Sequence, residues 1–255
     1  MRKCLAPFFL GRPEAGLGRQ TGDFDLVLPS DLVGESPGST EAICRINRAL
    51  RDVVAEHVAK SLKILVLCGD CVSIIGCLAG LESCGMRPYL LWFDAHGDFH
   101  THETTLSGHL GGMPLAMITG RGDLSLLSAV GLSTVSDKSV CLIGARDLER
   151  GERELLAASN ILQTRRLGDA LERIPRQGPV WIHFDTDYIS PAEAPAMRYP
   201  AIGGPTGLEA RLEFDLLSKE CDIVGMSISA WAPHLDEDGH TAETCWQSVA
   251  AIAEL

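Results

Sequence analysis

Two short stretches of the chain carry the residue types of a metal centre: Asp94-Ala95-His96-Gly97-Asp98 and Asp185-Thr186-Asp187. Acidic residues alternate with spacers in both, and His96 stands between two of them. Carboxylates crowded together repel one another strongly unless a cation sits between them. Two divalent ions about 3.5 Å apart, bridged by shared carboxylates, account for four aspartates. Oxygen donors with one imidazole suit manganese among the first-row metals. A single D-x-D is usually a solvated turn. Here each cluster directly follows a short apolar run, which sets it apart. A third stretch, Cys68-Gly69-Asp70-Cys71, has the spacing of a redox or zinc motif. No second cysteine pair follows at finger spacing, so the motif is weak by itself.

The elements that must position these residues follow from the apolar runs at 64–67, 89–93, 140–143, 180–184 and 223–226. Near-continuous apolarity at this length reads as strands buried on both faces, hence a parallel sheet. Residues 39–60 carry Ile43, Ile46, Leu50, Val53, Val54 and Val58 at steps of three and four, one apolar helical stripe. Further helices are expected near 73–84, 110–119, 152–159, 207–220 and 241–254. Strand and helix in alternation predict a three-layer α/β/α fold with a mainly parallel sheet, one domain over residues 1–255. Residues 11–38, rich in Gly, Pro, Asp and Ser, read as a long loop of the kind that forms a rim or lid. Polar clusters follow each strand, ending with Ser227 and Ser229 after the last. Ligands of open parallel sheets bind outside the carboxyl ends of the strands. Clusters far apart in sequence are therefore expected to meet along one edge.

Composition narrows the setting. The 255 residues carry a formal net charge of −12, which disfavours nucleic acid or an anionic membrane as partner. No run of about 18 apolar residues is present, so no membrane span is expected. The start, broken by Pro7 and Gly11, does not read as a signal peptide. Nine cysteines, an odd number placed mostly in apolar runs, read as free buried thiols of a reducing cytoplasm. The end at Leu255, directly after the last expected helix, favours a monomer.

D-A-H-x-D, followed 13 residues after its first Asp by Ser107-Gly108 and later by F-D-x-D, resembles the ureohydrolases: arginases, agmatinases and formiminoglutamases. The resemblance covers most of the chain, from Leu65 to about Asp236. It implies a manganese pair whose bridging hydroxide attacks a guanidinium carbon. Asp94 and Asp185 would bridge both metals, Asp98 would hold one, and His96 and Asp187 the other. Ser107, with His100 and His109, would address the substrate α-carboxylate, and Glu149 and Glu152 its α-amino group. That implies a small-molecule amino-acid substrate, and by family a trimer or hexamer is the alternative to a monomer. His57, on the helix of 39–60, reads as structural, and His183, within a strand, as a satisfied core residue.

The chain departs from the family pattern at three places. Cys71 stands where the first metal-binding His belongs, at a fitting 23 residues before Asp94. A thiolate there would loosen manganese or favour zinc at that position. Gly111 stands where arginases carry their proton-shuttle His, leaving His102 or His109 for that catalytic role. Ala230, in Ser229-Ala230-Trp231-Ala232-Pro233, replaces the carboxylate that pairs with the guanidinium. Arginine's permanent cation wants that carboxylate, whereas an N-hydroxyguanidine is much less basic and can bind neutral. The departures together resemble one branch of the family, the hydroxyarginases of D-cycloserine biosynthesis. The implied reaction, part of antibiotic biosynthesis, turns Nω-hydroxy-L-arginine and water into hydroxyurea and L-ornithine. An ordinary arginase or formiminoglutamase and a metal-binding pseudoenzyme are the alternatives. Retention of all four aspartates weighs against the last.

Overall fold

A computed structural model describes residues 1–19, 22–175 and 178–255. Ten strands are present among them: β1 (Arg2–Ala6), β2 (Phe8–Phe9), β3 (Arg12–Pro13), β4 (Leu26–Val27), β5 (Ile64–Cys68), β6 (Tyr89–Phe93), β7 (Val140–Ile143), β8 (Leu162–Thr164), β9 (Pro179–Asp185) and β10 (Asp222–Ser229). The α-helices are α1 (Thr40–Ala59), α2 (Ile74–Ser83), α3 (Pro114–Ile118), α4 (Ser125–Val130), α5 (Arg150–Ala157), α6 (Leu167–Arg173), α7 (Gly207–Glu220), α8 (His240–Ser248) and α9 (Ala250–Ala253). No helix among the described residues is long and apolar enough to cross a membrane.

Eight strands form one sheet in the order β4-β1-β5-β10-β9-β6-β7-β8, and every pairing in it is parallel. β2 and β3 form a small antiparallel hairpin beside it. Each apolar run splits by period two between the faces of the sheet, as strands buried on both sides must. Ile64, Val66, Leu90, Trp92, Val140 and Leu142 pack with Ile43, Leu50 and Val54 of α1 and Ile75 and Leu78 of α2. Leu65, Leu67, Leu91, Phe93, Ile182, Phe184, Met226 and Ile228 pack on the other side with Phe214 and Leu217 of α7 and Ile252 of α9. The expected three-layer parallel architecture is therefore present.

Local chemistry fixes most element ends. Ser39 caps α1 by accepting the Ala42 backbone N–H, and Thr206 and Glu209 form a reciprocal capping box at the start of α7. The single helix expected over 110–119 is instead a 3-10 turn at Leu110–Gly112 followed by α3, whose first residue is Pro114. Proline has no N–H to give and is favoured at that position. The last expected helix is interrupted at Val249 into α8 and α9. β10 runs on through Ser227 and Ser229, so these serines lie inside the strand and not beyond it. The loop expected over 11–38 holds β3, β4 and a 3-10 turn at Ser30–Val33.

Register brings the strand ends into line. Phe93 is level with both Ile143 and Phe184, Ile228 with Phe184, and Leu67 with Ile228. The residues that follow these positions therefore open on the same edge of the sheet.

Candidate metal centre and active-site cavity

A cavity of about 560 Å³ opens at that edge, and its walls include Cys71, His96, Asp98, Asp185 and Asp187. Two triads of ligand-bearing side chains meet beside it: Cys71 with Asp94 and Asp185, and Asp94 with His96 and Asp187. Within each triad the donor atoms lie within 4.8 Å of one another, and Asp94 belongs to both. β5, β6 and β9 each deliver their share at a strand end.

Hydrogen bonds fix the orientation of the carboxylates. Asp94 Oδ2 accepts the Trp92 indole N–H at 2.9 Å, and Oδ1 accepts the His96 backbone N–H at 2.7 Å. Asp187 Oδ1 accepts the Ala95 backbone N–H at 3.1 Å, which ties the end of β9 to the end of β6. Asp185 Oδ1 accepts the Asp187 backbone N–H at 3.0 Å, and Oδ2 accepts the Cys71 thiol at 2.9 Å. Asp98 holds a left-handed backbone with φ of 48°, and its Oδ2 is buried without a hydrogen-bond partner. A carboxylate oxygen left alone in the interior is costly unless something fills that need.

The electrostatics describe the same need. Burial, then the neighbouring Asp187 and Asp94 charges, push Asp185 well above the usual carboxylate range. Burial and Asp94 do the same to Asp98, and burial with Asp94 raises Asp187. Burial also opposes ionisation of Asp94, but the His96 contacts outweigh it and hold Asp94 low. His96 Nδ1 lies 3.0 Å from Asp187 Oδ2 and 3.5 Å from Asp94 Oδ1. Burial works against its proton, yet these two carboxylates lift its pKa to about 12. A proton on His96 thus occupies the place between carboxylates that a cation would take. Cys71 is raised by burial and then by Asp185, Asp98 and Asp94. The shared Asp94, the orphaned Asp98 oxygen and the mixed O, N and S donors fit two divalent cations.

An experiment follows directly. A cation that binds only the folded chain stabilises it by about 2.7 kcal/mol per site at 100-fold excess over Kd. For a chain of this size that raises Tm by roughly 5–11 °C per site. Thermal unfolding of metal-stripped protein with Mn2+, and again with excess chelator, should show the rise and its reversal; an unmoved Tm would count against the centre.

The remaining wall residues come from loops. His100 is buried, with Nδ1 3.2 Å from Thr104 Oγ1 and Nε2 3.4 Å from Glu149 Oε2 and 3.9 Å from Glu152 Oε2. It therefore keeps company with the two glutamates. Glu152 is buried, accepts the Phe99 backbone N–H at 2.9 Å, and has its pKa raised to about 7 chiefly by burial. Glu149 is half-exposed at the N-cap of α5. Ser107 lies on the cavity wall and accepts the His109 backbone N–H at 3.2 Å. His109 also lines the cavity, its ring 5.0 Å from the Tyr199 ring. His102 is exposed and forms no part of the wall, because its stretch of loop turns outward beside Thr101. Ala230 lines the cavity with a left-handed φ of 66°. His57 bonds its own helix through Val53 O at 2.8 Å, and buried His183 bonds Ser227 Oγ at 2.8 Å.

Four wall residues escaped the reading of the sequence: Phe9, Thr105, Arg198 and Tyr199. The Arg198 guanidinium lies 3.9 Å from the Phe9 ring centroid and pairs with Glu14 at 2.5 Å. Glu14 belongs to the Gly- and Pro-rich 11–38 stretch, the one signal that this part of the chain would reach the rim.

Known proteins share both the pattern and the architecture. The family model for the arginase family matches residues 14–253. The chain is 33% identical over 228 residues to the arginase of Bacillus caldovelox, covering 84% of this chain and 75% of that protein. It is 30% identical over 218 residues to the arginase of Bacillus subtilis strain 168, covering 81% and 74%. The solved structure of the Bacillus caldovelox arginase superposes with a TM-score of 0.85 at 27% identity, covering 98% of this chain and 97% of that one. The Entamoeba histolytica arginase in complex with L-ornithine shares the fold, with a TM-score of 0.81 at 20% identity and coverage of 100% and 98%. With an arginase-family match over nearly its whole length and two triads of ligand-bearing side chains at its strand ends, the chain belongs to the arginase family, hydrolases of guanidino carbon–nitrogen bonds that depend on a dinuclear metal centre.

Proposed function

We propose that the chain hydrolyses Nω-hydroxy-L-arginine to hydroxyurea and L-ornithine. The observation that carries this reading is Ala230, which puts a methyl group on the cavity wall where a guanidinium-pairing carboxylate would stand. A permanent cation brought into a buried site without its partner costs several kcal/mol. The less basic N-hydroxyguanidine enters neutral and avoids that cost.

Two Mn2+ ions would be held by Cys71, Asp94, His96, Asp98, Asp185 and Asp187, with Zn2+ the alternative at the Cys71 position. When bound, the metals supply Lewis acidity that makes water a nucleophile near neutral pH. Glu149 and Glu152 bind the substrate α-ammonium group, and His100, wedged against both, orients them. Ser107 and His109 bind the α-carboxylate. Burial holds His109 below the usual histidine range, so it stands neutral and able to take up a proton. It takes up the proton released as water adds to the guanidino carbon and gives it to the departing ornithine amine as that carbon–nitrogen bond breaks. The nine free cysteines support work in a reducing, cytoplasmic setting. The resemblance of the sequence supports D-cycloserine biosynthesis as the setting of such a reaction.

A second reading, ordinary arginase activity, is favoured by the names of the relatives. Turnover of the two amino acids side by side, with Mn2+ supplied, separates them. Hydroxyarginine should win by at least about 10-fold in kcat/KM, since each 1.36 kcal/mol is worth that factor. Equality, or an advantage for arginine, would sink the hydroxyarginine reading.

A further inference from the structure

Behind Cys71 runs a chain of four buried polar side chains. Trp181 Nε1 lies 3.1 Å from Ser227 Oγ, and Ser227 Oγ lies 2.8 Å from His183 Nδ1. His183 Nε2 lies 3.4 Å from Ser229 Oγ, and Ser229 Oγ lies 3.2 Å from Cys71 Sγ. Trp181, His183, Ser227 and Ser229 are all fully buried. They come from β9 and β10, neighbours in the sheet, with Ser227 level with His183 and Ser229 level with Asp185.

The direction of this chain is set at its far end. An indole nitrogen can only donate, so Ser227 Oγ accepts from Trp181. The one Ser227 hydroxyl hydrogen then needs an acceptor, and His183 Nδ1 is the other partner of Ser227 Oγ. A buried neutral imidazole that accepts at Nδ1 carries its hydrogen at Nε2. His183 Nε2–H therefore donates to Ser229 Oγ. Ser229, having accepted, sends its own hydrogen to its remaining partner, the Cys71 sulfur. We propose that Ser229 is a positioning residue for the metal centre: held in one hydrogen-bonding sense by Trp181, Ser227 and His183, it donates to Cys71 Sγ and presents that sulfur to a divalent cation as a hydrogen-bonded thiolate. The proposal rests on the proposed role of Cys71 as a metal ligand.

The donated hydrogen bond has an electronic consequence. It draws charge from the sulfur, lowers its lone pair in energy and makes it a harder donor. Hard cations such as Mn2+ tolerate such a sulfur better than a bare thiolate. Partners one step behind a ligand commonly carry about 10- to 100-fold in metal affinity.

Co2+ serves as the probe, because a bound thiolate gives it a sulfur-to-metal charge-transfer band in the near ultraviolet. In the full-length protein, Ser229→Ala should move that band to longer wavelength and weaken Mn2+ binding by about 10-fold or more. Ser229→Thr keeps the hydroxyl and should restore both. Should Ser229→Ala fail to fold, Trp181→Phe removes the donor that sets the direction and should shift the band the same way. A band lost in Cys71→Ser but unmoved in Ser229→Ala, or in Trp181→Phe if that variant stands in, overturns the role of Ser229 alone. A band that survives Cys71→Ser overturns the ligand assignment and the proposal with it.

Discussion

Asp94→Asn lowers hydrolysis by at least about 10³-fold, the loss expected when several kcal/mol of metal-borne stabilisation goes. Asp94 is the residue common to both triads, so its charge is used twice. Asparagine is nearly isosteric, and its one carbonyl oxygen can still accept the Trp92 indole hydrogen, although the His96 backbone N–H loses its acceptor. Packing is therefore retained while both cations lose an anionic ligand. Elemental analysis of the purified variant should give at most one metal per chain. Circular dichroism should show the wild-type fold. A variant that retained two metals and more than a tenth of the activity would show that Asp94 does not join the two sites.

The second large effect concerns substrate choice. Cys71→His with Ala230→Glu should raise kcat/KM for arginine by at least about 10-fold, worth some 1.4 kcal/mol. The introduced carboxylate would supply the missing counter-charge. Ala230 already sustains a left-handed φ of 66°, so another residue with a Cβ adds little backbone strain there. The open cavity beside it leaves room for the longer chain. An imidazole at position 71 gives the hard cation a better-matched donor than sulfur. Initial rates on both substrates, with metal content measured on the same samples, provide the check. No gain in a folded, metal-loaded double variant would refute the link between these two positions and specificity.

Much of this architecture was legible because buried parallel strands announce themselves as apolar runs. The runs at 89–93 and 140–143 coincide with β6 and β7. β1 was not legible: it begins Arg2-Lys3, and its first residues reach the sheet margin before Cys4, Leu5 and Ala6 turn inward. β8, with three residues, and α4 and α6, with six and seven, are too short to show a period. The aspartate clusters stood out because ligand chemistry has to follow strand ends. Phe9, Arg198 and Tyr199 stand where spacing carries no such rule and only tertiary contact reveals the partner. The hydrogen-bonding sense imposed by Trp181 was equally hidden, since it depends on strands brought side by side from 46 residues apart.

The strand order has a consequence for how the molecule comes into being. β10, the last strand in chain order among the described residues, lies in the middle of the sheet between β5 and β9. Closing long loops carries an entropic cost that delays such pairings. Until β10 is inserted, β5 has no neighbour on that side and Cys71 has no fixed relation to Asp185. Asp94, His96 and Asp187, carried by the adjacent β6 and β9, can gather earlier. On that ground the half that holds His96 and Asp187 is expected to form first, and the sulfur half when β10 slots into place.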